Sequence, residues 1–245
     1  MAAEPPLRPL YGRLMSAIRV QHEWGNRVRM LKLPLILTDD RLYGGAIANF
    51  YVLTRALEAA LEEHRQSPVV AHIVESLQLE PMAPRYQADL EEIFGETWKV
   101  DVAAATRSAA VAEYLAALGQ AGAIEVVAAT FILYGALVVG GGKSTQAKVQ
   151  RVFPRCQHVL FDVADDMRGA RRRFKNAYTA LGTDVAPEAA DAVTEHVKTY
   201  MARNNAVVLS VRCLPFWWPR AAAAVAAVAV VAIGYRARGL RAGRQ

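Results

Sequence analysis

Cysteine is nearly missing from this chain: Cys156 and Cys213 are the two thiols in 245 residues. Two cysteines without metal-ligand spacing argue against a disulfide framework and a zinc site, and they suit a reducing compartment. Short alternating runs of β-branched residues bounded by turn residues are almost absent, whereas stretches rich in Ala, Leu and Glu dominate. That balance points to an all-α class, and the length is enough for one large domain with its own core. An N-terminal signal is also lacking, because Met1 to Pro9 is short, proline-rich and without an apolar core.

Acidic residues are absent from the last 26 positions, where Arg220, Arg236, Arg238, Arg241 and Arg244 lie. Without these five arginines the net charge of +6 falls to +1 over residues 1–219. A near-neutral body with a basic tail suits a membrane flank and argues against nucleic acid as a partner. The one basic cluster of the body, Arg171 to Arg173, reads as a solvated helix face.

Ala221 to Tyr235 is an apolar run preceded by Phe216, Trp217 and Trp218 and followed by arginines. Fifteen helical residues rise only ~22 Å, but counting from Phe216 gives about 20 residues, enough to span a bilayer if Arg220 snorkels. Tryptophans at one end and arginines at the other resemble interfacial anchors. The expectation is a helical domain over residues 1–212 and a C-terminal membrane anchor with a basic tail over 213–245. The body then faces the cytosol as a tail-anchored monomer. The endoplasmic reticulum is preferred to the mitochondrial outer membrane as its location.

Helical periodicity organises the body. Leu10, Leu14, Ile18 and His22 recur every four residues, and Thr38-Asp39-Asp40 then supplies helix-start residues. A second helix runs to about His64, with Leu42, Phe50, Thr54, Leu57 and Leu61 on one side, until Ser67-Pro68 breaks it. Further helices are expected over Arg85 to Phe94, Val102 to Leu118 and Asp165 to Leu181, the last stopped by Gly182. Pro187 sits near the start of the last helix, where proline is tolerated.

Ala121 to Arg151 is long and apolar but interrupted by Gly135, Gly140, Gly141 and Gly142. The string Gly140-Gly141-Gly142-Lys143-Ser144 looks like a phosphate-binding loop, yet the motif needs glycine where Leu137 stands, and no βαβ alternation surrounds it. The alternative treats the glycines as gaps in a helix. Glycine costs about 1 kcal/mol in a helix interior, so four within eight residues imply a kink, close helix packing, or a planar ligand lying against the backbone. His22 is the natural opposing ligand, and the bland reading of it is a satisfied core histidine.

These features together resemble the heme oxygenase family. His22 falls at the position of that family's heme-ligating histidine. Phe50 to Glu58 matches its Leu-Tyr-x-x-Tyr-x-Ala-Leu-Glu pattern, and Tyr134 to Gly142 matches the glycine-bearing distal helix. Phe174 to Tyr178 and Lys198 to Asn204 match its last two helices. The resemblance covers roughly residues 8–212. It implies an all-α heme oxygenase-like bundle, heme as a cofactor with His22 as axial metal ligand, and heme-facing roles for His22, Gly140, Lys175, Tyr178 and Asn204.

The departures bear on activity. The family uses an Asp, a Tyr and an Arg to hold water and deliver protons to iron-bound dioxygen, and these positions are Leu137, Thr54 and Leu133 here. The first heme-approaching glycine is Ala136, the propionate-gripping Arg is Thr179 (leaving Lys175 and Arg19), and the acid near the ligand is Asn26. A leucine can neither hold a water nor relay a proton. The resemblance therefore implies a retained scaffold without ordinary heme degradation and without an assignable catalytic residue. Such a protein acts through a membrane partner, a redox protein among them, or another ligand. The alternatives are an active enzyme making biliverdin, carbon monoxide and iron, or a heme carrier or sensor.

Overall fold

Ten helices are built from the local signals of the chain, in a computed structural model that describes residues 9–214. The expected membrane helix, Phe216 to Tyr235, and the basic tail lie outside the described residues. Among the described residues there is no strand. The helices are α1 (Leu10–Ile36), α2 (Asp40–Glu63), α3 (Pro68–Leu77), α4 (Ala83–Phe94), α5 (Trp98–Ala105), α6 (Ala109–Gly119), α7 (Ala123–Val138), α8 (Gly142–Val152), α9 (Met167–Ala180) and α10 (Ala190–Ser210).

Several starts are set by side chains that satisfy orphan backbone donors. Asp39 accepts from the amides of Arg41 and Leu42, Ser108 from Val111, and Asp166 from Arg168 and Gly169. The start of α4 is capped from another helix: Glu58 on α2 accepts from the amides of Met82 and Ala83 and from the Tyr134 hydroxyl.

Three expectations are corrected here. Pro68 opens α3 rather than merely ending α2, because proline at the first helical position gives up a donor that would be orphaned anyway. The single helix expected over Val102 to Leu118 is broken between Ala105 and Ala109, where Ser108 takes extended backbone and caps α6. Gly182 does not stop α9 directly. Leu181–Val185 forms a wider turn in which Gly182 lies against α1, so close that a Cβ would sit 2.5 Å from the Leu10 Cβ.

Helix α7 forms the centre: Val126 to Tyr134 are buried without interruption, and α10, α3, α2 and α9 pack around it. An all-round apolar helix is stable only in such surroundings. Phe131, Phe174 and Tyr178 meet ring to ring beside it, joined by Tyr11. Among the described residues no single helix is long and apolar enough to cross a membrane.

Helices α1 and α10 run side by side in the same direction, pinned at three levels. Arg13 pairs with Asp191, the Asn205 side chain donates to the Gln21 carbonyl at 2.9 Å, and the Lys32 ammonium meets the carbonyls of Val208, Leu209 and Val211. A cation among the last carbonyls of a helix complements its dipole.

Candidate functional site

Helix α1 presents three different sides. Leu10, Leu14, Ile18 and Gly25 are buried against the bundle. His22, Asn26 and Arg29 follow at i, i+4 and i+7, so they share a second stripe. Val20, Trp24, Leu31 and Leu35 are exposed and make a third.

The second stripe is aimed at the bend between α7 and α8. Arg29 donates to Asn26 Oδ1 at 2.9 Å and reaches Thr145 Oγ1 on α8 at 3.4 Å, while Thr145 Oγ1 donates to the Gly141 carbonyl at 3.0 Å. His22 lies two turns before Arg29, is exposed, and makes no hydrogen bond or ion pair among the described residues. It is therefore not a satisfied core histidine: an imidazole without a partner keeps a nitrogen lone pair for an incoming ligand.

The expected kink is present. The axes of α7 and α8 differ by 53°. The Gly135 carbonyl accepts from the amides of both Val139 and Gly140, at 2.9 and 3.0 Å. A Cβ on Gly140 would lie 2.3 Å from the Ala136 carbonyl oxygen, and one on Gly142 2.9 Å from that of Leu137. The bend itself therefore demands these two glycines, whereas Gly135 is explained by packing, since a Cβ there would lie 3.1 Å from the Phe174 ring. Lys143 is held by Asp162 and Gln146, which leaves the phosphate-loop reading without its lysine.

The other proposed positions differ in exposure. Lys175 is exposed on α9, and Asn204 is half-buried on α10. Tyr178 is fully buried, with its hydroxyl donating to the Val127 carbonyl at 2.9 Å. On the distal side Leu133 is buried, Leu137 half-buried and Ala136 exposed. Thr54 is buried next to Tyr86, whose phenol is pushed up by its burial and held back by a hydrogen bond with Thr54. Arg19 is exposed and Thr179 half-buried. Sequence reasoning missed Arg29, the link from α1 to α8, and Asn205, the contact between α1 and α10. The spacing of Arg29 from His22 could have flagged the first, but no local signal marks the second.

Two other features resemble sites. A cavity of about 100 Å³ is lined by Glu58, Arg65, Leu79 and Tyr134, away from the His22 stripe. Asp89, Glu92 and Cys156 converge closely enough to suggest a metal. However, both Asp89 oxygens accept backbone amides, from Val159 and Leu160, and Glu92 accepts from Gln157. Burial pushes the Cys156 thiol up to about 12, so it is no ready thiolate. This group clasps the loop after α8 onto α4.

The bundle combines a glycine-bearing bend between α7 and α8 with a first helix that carries a histidine without a partner. The heme oxygenase family profile matches residues 9–210, and the chain belongs to that family. Among solved structures it is similar to heme oxygenase 2 from Chlamydomonas reinhardtii, determined without heme. That match has a TM-score of 0.77 and 24% identity, covering 84% of this chain and 99% of that one. It is also similar to heme oxygenase-1 from Synechocystis sp. PCC6803 in complex with heme, with a TM-score of 0.67, 19% identity and coverage of 93% and 99%. A heme oxygenase from Leptospira interrogans matches with a TM-score of 0.67 and 16% identity, over 82% and 98% of the two chains. No curated protein matches the sequence.

The side chains present fit heme on one side and not on the other. His22 offers a free imidazole, and Gly140 leaves the half-buried backbone at the bend without a side chain of its own. Toward the distal side, Leu133 and Leu137 offer neither donor nor acceptor, and Thr54 is occupied by Tyr86.

Proposed function

We propose that this chain is a heme oxygenase-like protein, anchored to a membrane by Phe216 to Tyr235, that lacks ordinary heme-degrading turnover. The observation that carries the reading is the apolar run into the bend, where Leu133, Ala136 and Leu137 themselves offer no group that can relay a proton. Heme, when bound, supplies the oxygen-activating iron. What this chain contributes is an imidazole at His22, a close backbone at Gly140, and Arg29 and Lys175 as cations for carboxylate groups.

Its work is then done through a membrane protein partner, a redox protein among them, or through another ligand. The body faces the cytosol, with the endoplasmic reticulum preferred. The free state of His22 favours a second reading, in which heme is bound and held.

Titrating the full-length protein in detergent with hemin separates these readings. A sharp Soret band absent from His22→Ala supports heme binding at this histidine. Adding a reductase should then leave the band in place. Conversion to a single biliverdin isomer would refute the proposal and establish an active enzyme. No specific band would turn the search to membrane partners.

A further inference from the structure

The third side of α1 has no partner in the bundle. Val20 is 72% and Leu31 76% exposed, and Trp24 and Leu35 continue the same stripe at helical spacing. Four large apolar residues in a row on one outward face are not the scattered exposure of an ordinary surface. They sit about 65–125° from the buried side of α1 and nearly opposite His22, by the ~100° step of a helix.

The far end of this stripe is fixed to the end of α10. Lys32 lies between Leu31 and Leu35, and it binds the carbonyls of Val208, Leu209 and Val211. Leu209, 50% exposed, and Leu214 extend the apolar surface there. Charge accompanies its far end, beyond Glu23: Arg27 flanks the stripe, Arg203 and Arg212 lie toward the end of α10, and residues 26–38 and 202–214 contain no acid. An apolar stripe with cations around its far end matches the interface of a bilayer with anionic headgroups.

The length of chain that follows places this end. Only Pro215 and Phe216 separate Leu214 from Trp217 and Trp218. Three residues reach at most ~11 Å when fully extended. If those tryptophans sit at headgroup level, the end of α10 cannot stand far from the lipid, nor can the part of α1 that Lys32 ties to it.

We infer that the Val20–Trp24–Leu31–Leu35 face of α1 lies on the lipid surface, so the protein touches the bilayer through its first helix as well as its C-terminal segment. The inference rests on the anchor reading above. It fixes the orientation of the bundle: the His22 stripe, on the opposite side of α1, is turned away from the membrane toward water.

The test uses full-length protein reconstituted into vesicles of phosphatidylcholine and phosphatidylserine. A Cys213→Ser background leaves Cys156, which is buried. A fluorophore is attached at Leu31→Cys, at Val20→Cys, or at Glu188→Cys, an exposed position before the opposite end of α10. A face seated in the headgroup region predicts that brominated lipid quenches the labels at 31 and 20 at least ~3-fold more than the label at 188. Protein retained through alkaline carbonate with equal quenching at 31 and 188 overturns the seated face and leaves the anchor standing. Protein stripped by carbonate removes both. A label at 31 shielded from aqueous iodide but untouched by brominated lipid puts another stretch of protein on this face, and also overturns the inference.

Discussion

Replacing Gly25 with alanine puts a methyl carbon 2.1 Å from Asn205 Oδ1 and 2.9 Å from its Cγ, at the closest approach of α1 and α10. Alanine itself favours a helix interior by about 1 kcal/mol over glycine. Against this, the Asn205 side chain must leave its place. Its hydrogen bond to the Gln21 carbonyl is then lost, a net ~0.5–1.5 kcal/mol. Overpacking adds about 1–3 kcal/mol. The balance is a destabilisation of about 1–3 kcal/mol, measured by urea unfolding followed by circular dichroism.

The sign should reverse when Asn205 is shortened. All three atoms nearest the new methyl belong to the Asn205 side chain beyond its Cβ. Gly25→Ala in an Asn205→Ala background should therefore be neutral or stabilising, giving a coupling of at least about 1 kcal/mol in the double-mutant cycle. If Gly25→Ala costs the same in both backgrounds, the contact between the helices does not explain the glycine. Because Gly25 lies one turn from His22, the hemin affinity of Gly25→Ala should fall and recover in the double variant.

Four further outcomes are expected. Lys32→Met keeps the stem but strips the cation from three carbonyls at the end of α10, and should lower the unfolding free energy by about 1–2 kcal/mol. Glu58→Ala leaves two amides at the start of α4 and the Tyr134 hydroxyl without their acceptor, and a loss of about 2–4 kcal/mol should appear as a lower urea midpoint. Tyr178→Phe should cost about 1 kcal/mol through its bond to the Val127 carbonyl yet leave hemin affinity unchanged, since the hydroxyl is locked in the core. In acid, Asp166 is held below its ordinary value by the Gly169 amide, and Asp101 by the Thr97 hydroxyl and then Arg41. Folded protein binds fewer protons at these groups than unfolded chain, so their stabilisation is complete above the ordinary carboxylate value and is lost as pH falls through the lowered one. Asp166→Asn, which keeps a capping oxygen, should flatten the urea midpoint against pH below about pH 4.

Features that depend on neighbours in the chain were legible before the structure. The helix start at Asp39, the tolerance of Pro187 and the bend at Gly140 to Gly142 all follow from local rules, and all are present. The break before Ser67-Pro68 was also legible, but not that Pro68 opens a new helix, because proline suits both an interruption and a first turn. The split between α5 and α6 was hidden by an apolar pattern running through it, which a single serine cap interrupts. At the candidate site, His22 and the bend were readable from spacing, but their relation was not. It depends on Arg29 reaching Thr145 and on Asn205 filling the space beside Gly25, contacts between residues 116 and about 180 positions apart that no local pattern encodes.

The Lys32 clamp makes the molecule a mechanical linkage. Tension applied to the chain beyond Leu214 enters the bundle through the last turn of α10, whose carbonyls pass it to Lys32. Load entering there is shared between α1, the helix that carries His22, and α7, on which α10 also packs.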